Sequence, residues 1–281
     1  MERLKTLAEG VHRLALRTPT LPPAMATNLM VVGHSKLALV EPATPFEEEQ
    51  RVLDDVLEAL AAQGRTVQML LVTHHHVDHI GDVERLRQRH GVPLYAHAAT
   101  AERLPFGVDH ALGDGDELDL GEGIVLRAVH TPGHAPGHLV IHELSSGIAH
   151  AGDMVAGEGS ILIEPDDAGD MGQYLDSLRR LGSLGTTALV PAHGPVLEDP
   201  VAITEHYIAH RLGREAKVLA AIDEGAASMD ELVARVYHDT PRMLWPLAAR
   251  ALEAHLRKLE ADGVVTRTGG RARRFSTPEP V

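Results

Sequence analysis

Apolar residues in the first half of the chain fall in short runs broken by Pro and Gly. Val11–Arg17, Asn28–Gly33 and Lys36–Glu41 read as strands. From Phe46 to Gln63 the period changes: Val52, Leu53, Val56, Leu57 and Leu60 share one helical face, and Gly64 ends the run. Val67–Val72 is a compact apolar strand, Val83–His90 a short helix and Val92–Ala96 another strand. Four strands follow, at Glu117–Leu120, Ile124–Val129, Leu139–His142 and Ile148–Ala151. Met171–Leu184 is an amphipathic helix and Ala188–Pro191 a short strand. Strands and helices in this order predict an α/β fold: two mixed sheets face to face, with helices on the outer surfaces.

Beyond about Pro200 the pattern turns helical. Ile203–Ile222 is one helix. Ser228–Tyr237 is a second, with Ser228 as N-cap and Glu231 at the capping-box spacing. Pro246–Ala261 is a third, ended by Gly263. Val264–Thr268 and Arg271–Ser276 flank a Gly269-Gly270 turn as a hairpin. Three helices and a hairpin are the order of a winged helix. Two domains are expected, 1–200 and 201–281.

Charge separates the two parts. The chain has 26 basic and 40 acidic side chains, a net −14, of which residues 201–281 hold 12 and 11. The first domain is thus at −15 and the second at +1. No run of about 18 apolar residues suggests a membrane span, and the N-terminus has no apolar leader, so a cytoplasmic address is expected. There is no cysteine. Disulfides, thiolate nucleophiles, iron–sulfur clusters and cysteine-held zinc are excluded. There are 19 histidines. If the chain holds a metal, imidazole and carboxylate must hold it.

Position decides between scattered surface histidines and a site. Thr73-His74-His75-His76-Val77-Asp78-His79-Ile80-Gly81-Asp82 directly follows the strand Val67–Val72. If the chain stays extended through Asp78, alternation sends His74, His76 and Asp78 to one side and His75 to the other. His134, in the tight loop Thr131–His138, follows the strand at Ile124–Val129. Asp153 follows Ile148–Ala151, and His193 follows Ala188–Val190. Strand-end loops on one edge of a scaffold are where sites are built. Asp82 reads as a helix-start acid, and His90, His97 and His110 as structural or solvated.

His74-x-His76-x-Asp78-His79, then His134, Asp153 and His193, resemble the metallo-β-lactamase superfamily of hydrolases over essentially the first 200 residues. The resemblance implies an αββα sandwich with a dinuclear metal site. His74, His76 and His134 would hold the first ion; Asp78, His79 and His193 the second; Asp153 would bridge both. Flavin-linked diiron members carry an acid at the place of His76, so this chain resembles the hydrolytic kind. Three neutral imidazoles suit zinc, Zn²⁺, with Mn²⁺ or Fe²⁺ also admitted. A shared hydroxide would be the nucleophile, and Asp78 could also orient or deprotonate it. His138 is expected to contact substrate or to hydrogen-bond a ligand.

One antibiotic-degrading class of the superfamily needs a cysteine ligand, and another lacks the bridging aspartate; this chain has neither feature. It looks more like glyoxalase II thioesterases and the β-lactamase-like endoribonucleases, which append a winged helix. Thioesterases that release products from a carrier protein also look similar over the whole length. Ester or thioester hydrolysis of a small or carrier-bound acyl substrate is the preferred expectation. The alternative is cleavage of single-stranded RNA against a wall of Arg211, Arg214, Arg267, Arg271, Arg273 and Arg274. A module at +1 beside a domain at −15, with 3 Phe, 4 Tyr and 1 Trp, speaks against RNA. A third class, a DNA-binding regulator with a sensory metal domain, conflicts with a complete ligand set. The winged helix also suits dimerisation, so a homodimer is a further expectation.

Overall fold

Leu29 and Val31 point to one face of a strand, Met30 and Val32 to the other, and all four are fully buried. That strand therefore lies inside a layered stack, and the stack explains why its apolar run is continuous rather than alternating. A computed structural model describes residues 3–275. The first sheet has seven strands in sequence order: β1 Lys5–Ala8, β2 Val11–Arg17, β3 Ala26–Val32, β4 Lys36–Val40, β5 Thr66–Leu71, β6 Leu94–His97 and β7 His110–Leu112. Strands β1 to β4 pair antiparallel, and β4 to β7 parallel. The parallel steps need crossovers, which α1 (Glu47–Ala61), α2 (Val77–Ile80), α3 (Val83–His90) and α4 (Ala98–Ala101) supply.

The second sheet holds β8 Glu117–Gly121, β9 Ile124–His130, β10 Leu139–Glu143, β11 Ile148–Gly152 and β12 Ala188–Pro191, in the order β12-β11-β10-β9-β8. Between the sheets, Met30, Val32, Ala38 and Val40 meet Leu126, Ala128, Leu139 and Ile141. Outside the first sheet, Leu29, Val31 and Leu39 pack on Leu53, Val56, Leu57 and Leu60 of α1. Outside the second, Val140 and Ala149 pack on Tyr174, Leu175, Leu178 and Leu181 of α5 (Met171–Gly182). The layers are helix, sheet, sheet, helix.

The C-terminal part is α6 Pro200–Asp223, α7 Met229–Val236, α8 Trp245–Ala261 and the hairpin β13 Val265–Thr268 and β14 Arg271–Arg274. It is a winged helix with its own core of Val218, Leu232, Val236, Leu252, Leu256 and Val265. Ser228 and Glu231 form the capping box of α7. Helix α6 serves both parts. Ile203, Tyr207 and Ile208 pack with α5, whereas Val218, Ala221 and Ile222 pack in the winged helix. Ser276, the expected end of the hairpin, lies outside the described residues. Among the described residues no helix is long and apolar enough to cross a membrane.

Topology gathers four loops. β9 and β11 flank β10 antiparallel, and β12 runs parallel to β11, so β9, β11 and β12 end on the same edge. Leu139 N donates to Thr73 O (2.9 Å), which brings the end of β5 to that edge. Ala192 N donates to Gly152 O (2.9 Å), and Asn28 N to Ala192 O (2.8 Å).

Candidate metal centre

Each histidine at this edge is tied from behind. His134 Nδ1 donates to Leu162 O (2.9 Å), and His193 Nδ1 to Ala26 O (3.0 Å). His79 Nδ1 donates to Glu41. Thr73 Oγ1 donates to Glu41 Oε2 (3.0 Å), so it accepts from His74 Nδ1 (2.9 Å). His76 is turned the other way, with Nε2 donating to Asp167 Oδ2 (2.9 Å). These partners assign the tautomers. Five ring nitrogens are left to face inward, Nε2 of four residues and Nδ1 of His76; that of His193 has Thr20 Oγ1 at 3.4 Å.

Three of them nearly touch. His74 Nε2, His76 Nδ1 and His134 Nε2 lie 2.9–3.1 Å apart. No proton remains between them, so three lone pairs oppose one another, an arrangement that a cation relieves. A Zn–N length of about 2.0–2.1 Å can be met from all three at once. Beside them, Asp153 Oδ2 is 3.4 Å from His134 Nε2 and 3.7 Å from His79 Nε2. Its other oxygen, Oδ1, is 3.5 Å from His193 Nε2. Asp78 faces His79 (3.7 Å) and His193 (3.5 Å). Four donor groups lie close enough to hold a cation: His74, His76, His134 and Asp153; Asp78, His79 and His193; Glu41, His74 and His79; and His75, His76 and Asp167. His79 Nε2 and Asp153 Oδ1 are buried with no hydrogen-bond partner. Each such orphan ordinarily costs about 1–3 kcal/mol, and metal coordination would remove both costs. The donor set thus fits bound divalent metal.

Electrostatics points the same way. Burial pushes His74 well below the ordinary imidazole value and His134 down to about 4, so both are neutral, the ligating form. Burial would raise Asp153 and Asp78, but the neighbouring histidines, His79 foremost, outweigh it and hold both below the usual carboxylate range. Conversely, burial would lower His79 and His193, but Glu41, Asp78 and Asp153 outweigh it for His79, and Asp78 and Asp153 for His193. Without a metal this second group therefore carries positive charge where a cation would sit.

Residues 22–193 match the metallo-beta-lactamase superfamily pattern. The chain belongs to the metallo-beta-lactamase superfamily. Its members are generally hydrolytic enzymes that bind metal ions. Residues 228–273 match the beta-lactamase-associated winged helix domain. The Drosophila melanogaster protein called beta-lactamase-like protein 2 homolog is 30% identical over 273 residues, 92% of this chain and 90% of that one. A metallo-beta-lactamase family protein from Thermus thermophilus is 25% identical, with a TM-score of 0.77 over 96% of this chain and all of its own, 100%. A beta-lactamase domain protein from Burkholderia ambifaria, at 21% identity and a TM-score of 0.85, covers 96% of this chain and 93% of its own and shares the fold.

Several expected roles change within this superfamily frame. The chain is not extended through Asp78. His76 is extended (φ −65°, ψ 150°) and caps a helical turn, Val77–Ile80, from which both Asp78 and His79 project. Nor does His75 turn away from the site: its Nε2 and that of His76 meet the same Asp167 Oδ2, at 3.1 and 2.9 Å. His138 cannot contact substrate: it is fully buried, its Nε2 accepts from Asp153 N (3.0 Å) and its Nδ1 donates to Thr131 Oγ1 (2.9 Å). It fixes the backbone of Asp153. Arg211 is no phosphate wall. It is 4% exposed, donates to Ile161 O and lies 5.4 Å from the Tyr174 ring centroid. Arg214 donates to Val236 O (2.6 Å) and covers the Tyr237 ring. Arg267 pairs with Glu253 and Glu260, and Arg274 with Asp223.

Sequence reasoning passed over Glu41 and Asp167. Glu41, fully buried, holds His79 and accepts from Thr73 N (2.6 Å). Its φ of 64° aims it there. The only signal was an acid directly after an apolar strand. Asp167 binds His75 (3.1 Å), His76 and Arg103 (3.2 Å) from a short 3₁₀ turn at Pro165–Asp167. The site opens into a cleft of about 240 Å³ lined by His76, Asp78, His134, Asp153 and His193, roofed by Pro22, Pro23 and Gly159–Leu162.

Proposed function

We propose that this protein is a dinuclear, zinc-dependent hydrolase of esters or thioesters. His74, His76 and His134 would hold one ion, and Asp78, His79 and His193 the other. Asp153 would contribute to holding both. The observation that supports this reading is a first donor group that contains Asp153 and a second, Asp78, His79 and His193, whose His193 Nε2 lies 3.5 Å from the other Asp153 oxygen. When bound, such a pair of ions lowers the pKa of water toward about 7 and polarises a carbonyl.

The chain's own groups define the rest. Asp78 lines the cleft as an ionised acceptor, so it can orient an attacking water by its proton. His138 and Glu41 keep Asp153 and His79 in place. A carboxylic acyl substrate is preferred to RNA because Arg214, Arg267, Arg271 and Arg274 lie beside carboxylates and Arg211 is buried, which leaves Arg273 as the exposed member of the expected wall without a described partner, where a run of phosphates needs several.

The test is metal analysis together with a panel of acyl thioesters, a simple ester, a β-lactam and single-stranded RNA. Two zinc ions per chain and thioester or ester turnover without RNA cleavage are expected. RNA cleavage without ester or thioester turnover would overturn the substrate reading; one ion or none would overturn the dinuclear one.

A further inference from the structure

The superfamily fold accounts for the metal cleft but not for a second cavity beside it. Leu247, Ala248 and Ala251 lie on one stripe of α8, and Leu244, in the 3₁₀ turn just before it, continues the spacing. They line a cavity of about 350 Å³ between the winged helix and the first domain. The opposite wall is Pro22, Pro23, Ile161 and Leu162. Pro22, Pro23 and residues 159–162 line the metal cleft too, so the two spaces share a wall. The volume lies in the range of small-molecule sites.

The cavity's two arginines are held in place by backbone carbonyls. Arg211 and Arg214 line it, but the first donates to Ile161 O and the second to Val236 O, with Asp239 3.4 Å away. Burial, with Arg211 and Arg214 close by, pushes His210 below its ordinary value, so it is neutral. Arg211 has no carboxylate partner among the described residues and its Nε is buried without a hydrogen bond, so one cation stands in the wall, whereas the rest of the lining offers an alkyl or aryl group Leu, Ile, Ala and Pro surfaces. The small side chains of Ala248 and Ala251 leave the room.

We infer that this interdomain cavity binds the apolar acyl group of the substrate, with the winged helix as one wall of the acyl site. The inference rests on the ester or thioester reading above and deepens it: a carbonyl placed in the metal cleft can send its acyl tail past Ile161 and Leu162 onto helix α8. Substrate selection then belongs to the winged helix, and the reaction to the first domain.

The test uses the full-length protein and two readouts. On zinc-loaded protein, kcat/KM for N-acetylcysteamine thioesters from acetyl to decanoyl should rise about three- to fourfold per added methylene until the cavity is full. On chelator-treated protein, uncharged octanamide should bind by calorimetry. Ala251→Trp fills the cavity, and Leu247→Glu puts a charge in it. Each should weaken octanamide at least tenfold and lower the decanoyl-to-acetyl ratio of kcat/KM at least tenfold. If Ala251→Trp fails to fold, the half-buried Leu247 position carries the comparison. A rate independent of chain length, octanamide binding unchanged in a folded variant, or its displacement by oligouridylate would overturn the inference. Octanamide binding that is lost in the variants, with no thioester cleaved, would instead overturn the reaction and leave the apolar site standing. Flat thioester turnover without octanamide binding would do the reverse.

Discussion

Asp167 Oδ2 accepts a hydrogen bond from His76 Nε2 at 2.9 Å and so turns the Nδ1 of that ring toward His74 and His134. The C-terminal helix holds the same turn: Arg257 donates to Pro165 O (3.1 Å) and Asp166 Oδ1 (3.0 Å). Partners of this kind typically contribute 10–100-fold in metal affinity. Asp167→Ala should therefore weaken zinc binding about 10–100-fold with little change in melting temperature, read by competition with a chromogenic chelator. Unchanged affinity would show that His76 needs no such partner.

The two oxygens of Asp153 face two of the donor groups, 3.4 Å from His134 and 3.5 Å from His193. On the dinuclear zinc reading proposed above, Asp153→Ala should lower zinc content to one ion per chain or fewer and reduce turnover to background, while circular dichroism stays native. His134→Ala should remove the first ion. Full dinuclear occupancy by metal analysis in either variant would contradict the assignment.

How much of this was legible follows from how far each signal reaches along the chain. His74, His134, Asp153 and His193 each stand within a few residues of an apolar strand end, so local periodicity found them together with their strands. Asp78 and His79 needed the turn that His76 caps, and its conformation is not encoded in hydrophobic alternation. Glu41 and Asp167 act 38 and 91 residues away from the histidines they hold. Only the folded chain makes those pairs. Helix α6 illustrates the same limit. Its periodicity is continuous, but its packing partner changes from α5 to the winged helix between Ile208 and Val218.

Gly133 precedes His134 and has φ +124°, and a Cβ there would lie 2.1 Å from Tyr174 N. Both the conformation and the contact exclude a side chain, since helix α5 cannot withdraw without opening its buried face. Gly133→Ala should destabilise the protein by about 2–4 kcal/mol, from roughly 1–3 kcal/mol of backbone strain plus the clash. Urea unfolding of the chelated protein measures this without a contribution from bound metal. A loss below about 1 kcal/mol would mean that the loop shifts freely.

His255 lies fully buried on α8, with neither ring nitrogen hydrogen-bonded among the described residues. Burial, aided by Arg211, Lys258 and Arg214, pushes it down to about 3 from an ordinary 6.5. Above pH 6.5 the ring is neutral folded or unfolded, and it adds no pH dependence. As pH falls from 6.5 toward 3, the unfolded chain takes up a proton that the folded chain refuses, so stability falls. His255→Leu removes this uptake and leaves no unpaired polar atom at the position. Urea midpoints of chelated wild type and variant, measured at about pH 7 and about pH 5, on either side of the unfolded-state value, should therefore diverge: the variant loses less on acidification. Equal losses in both proteins would show that His255 takes no part in the acid response and that other groups set the acid limit.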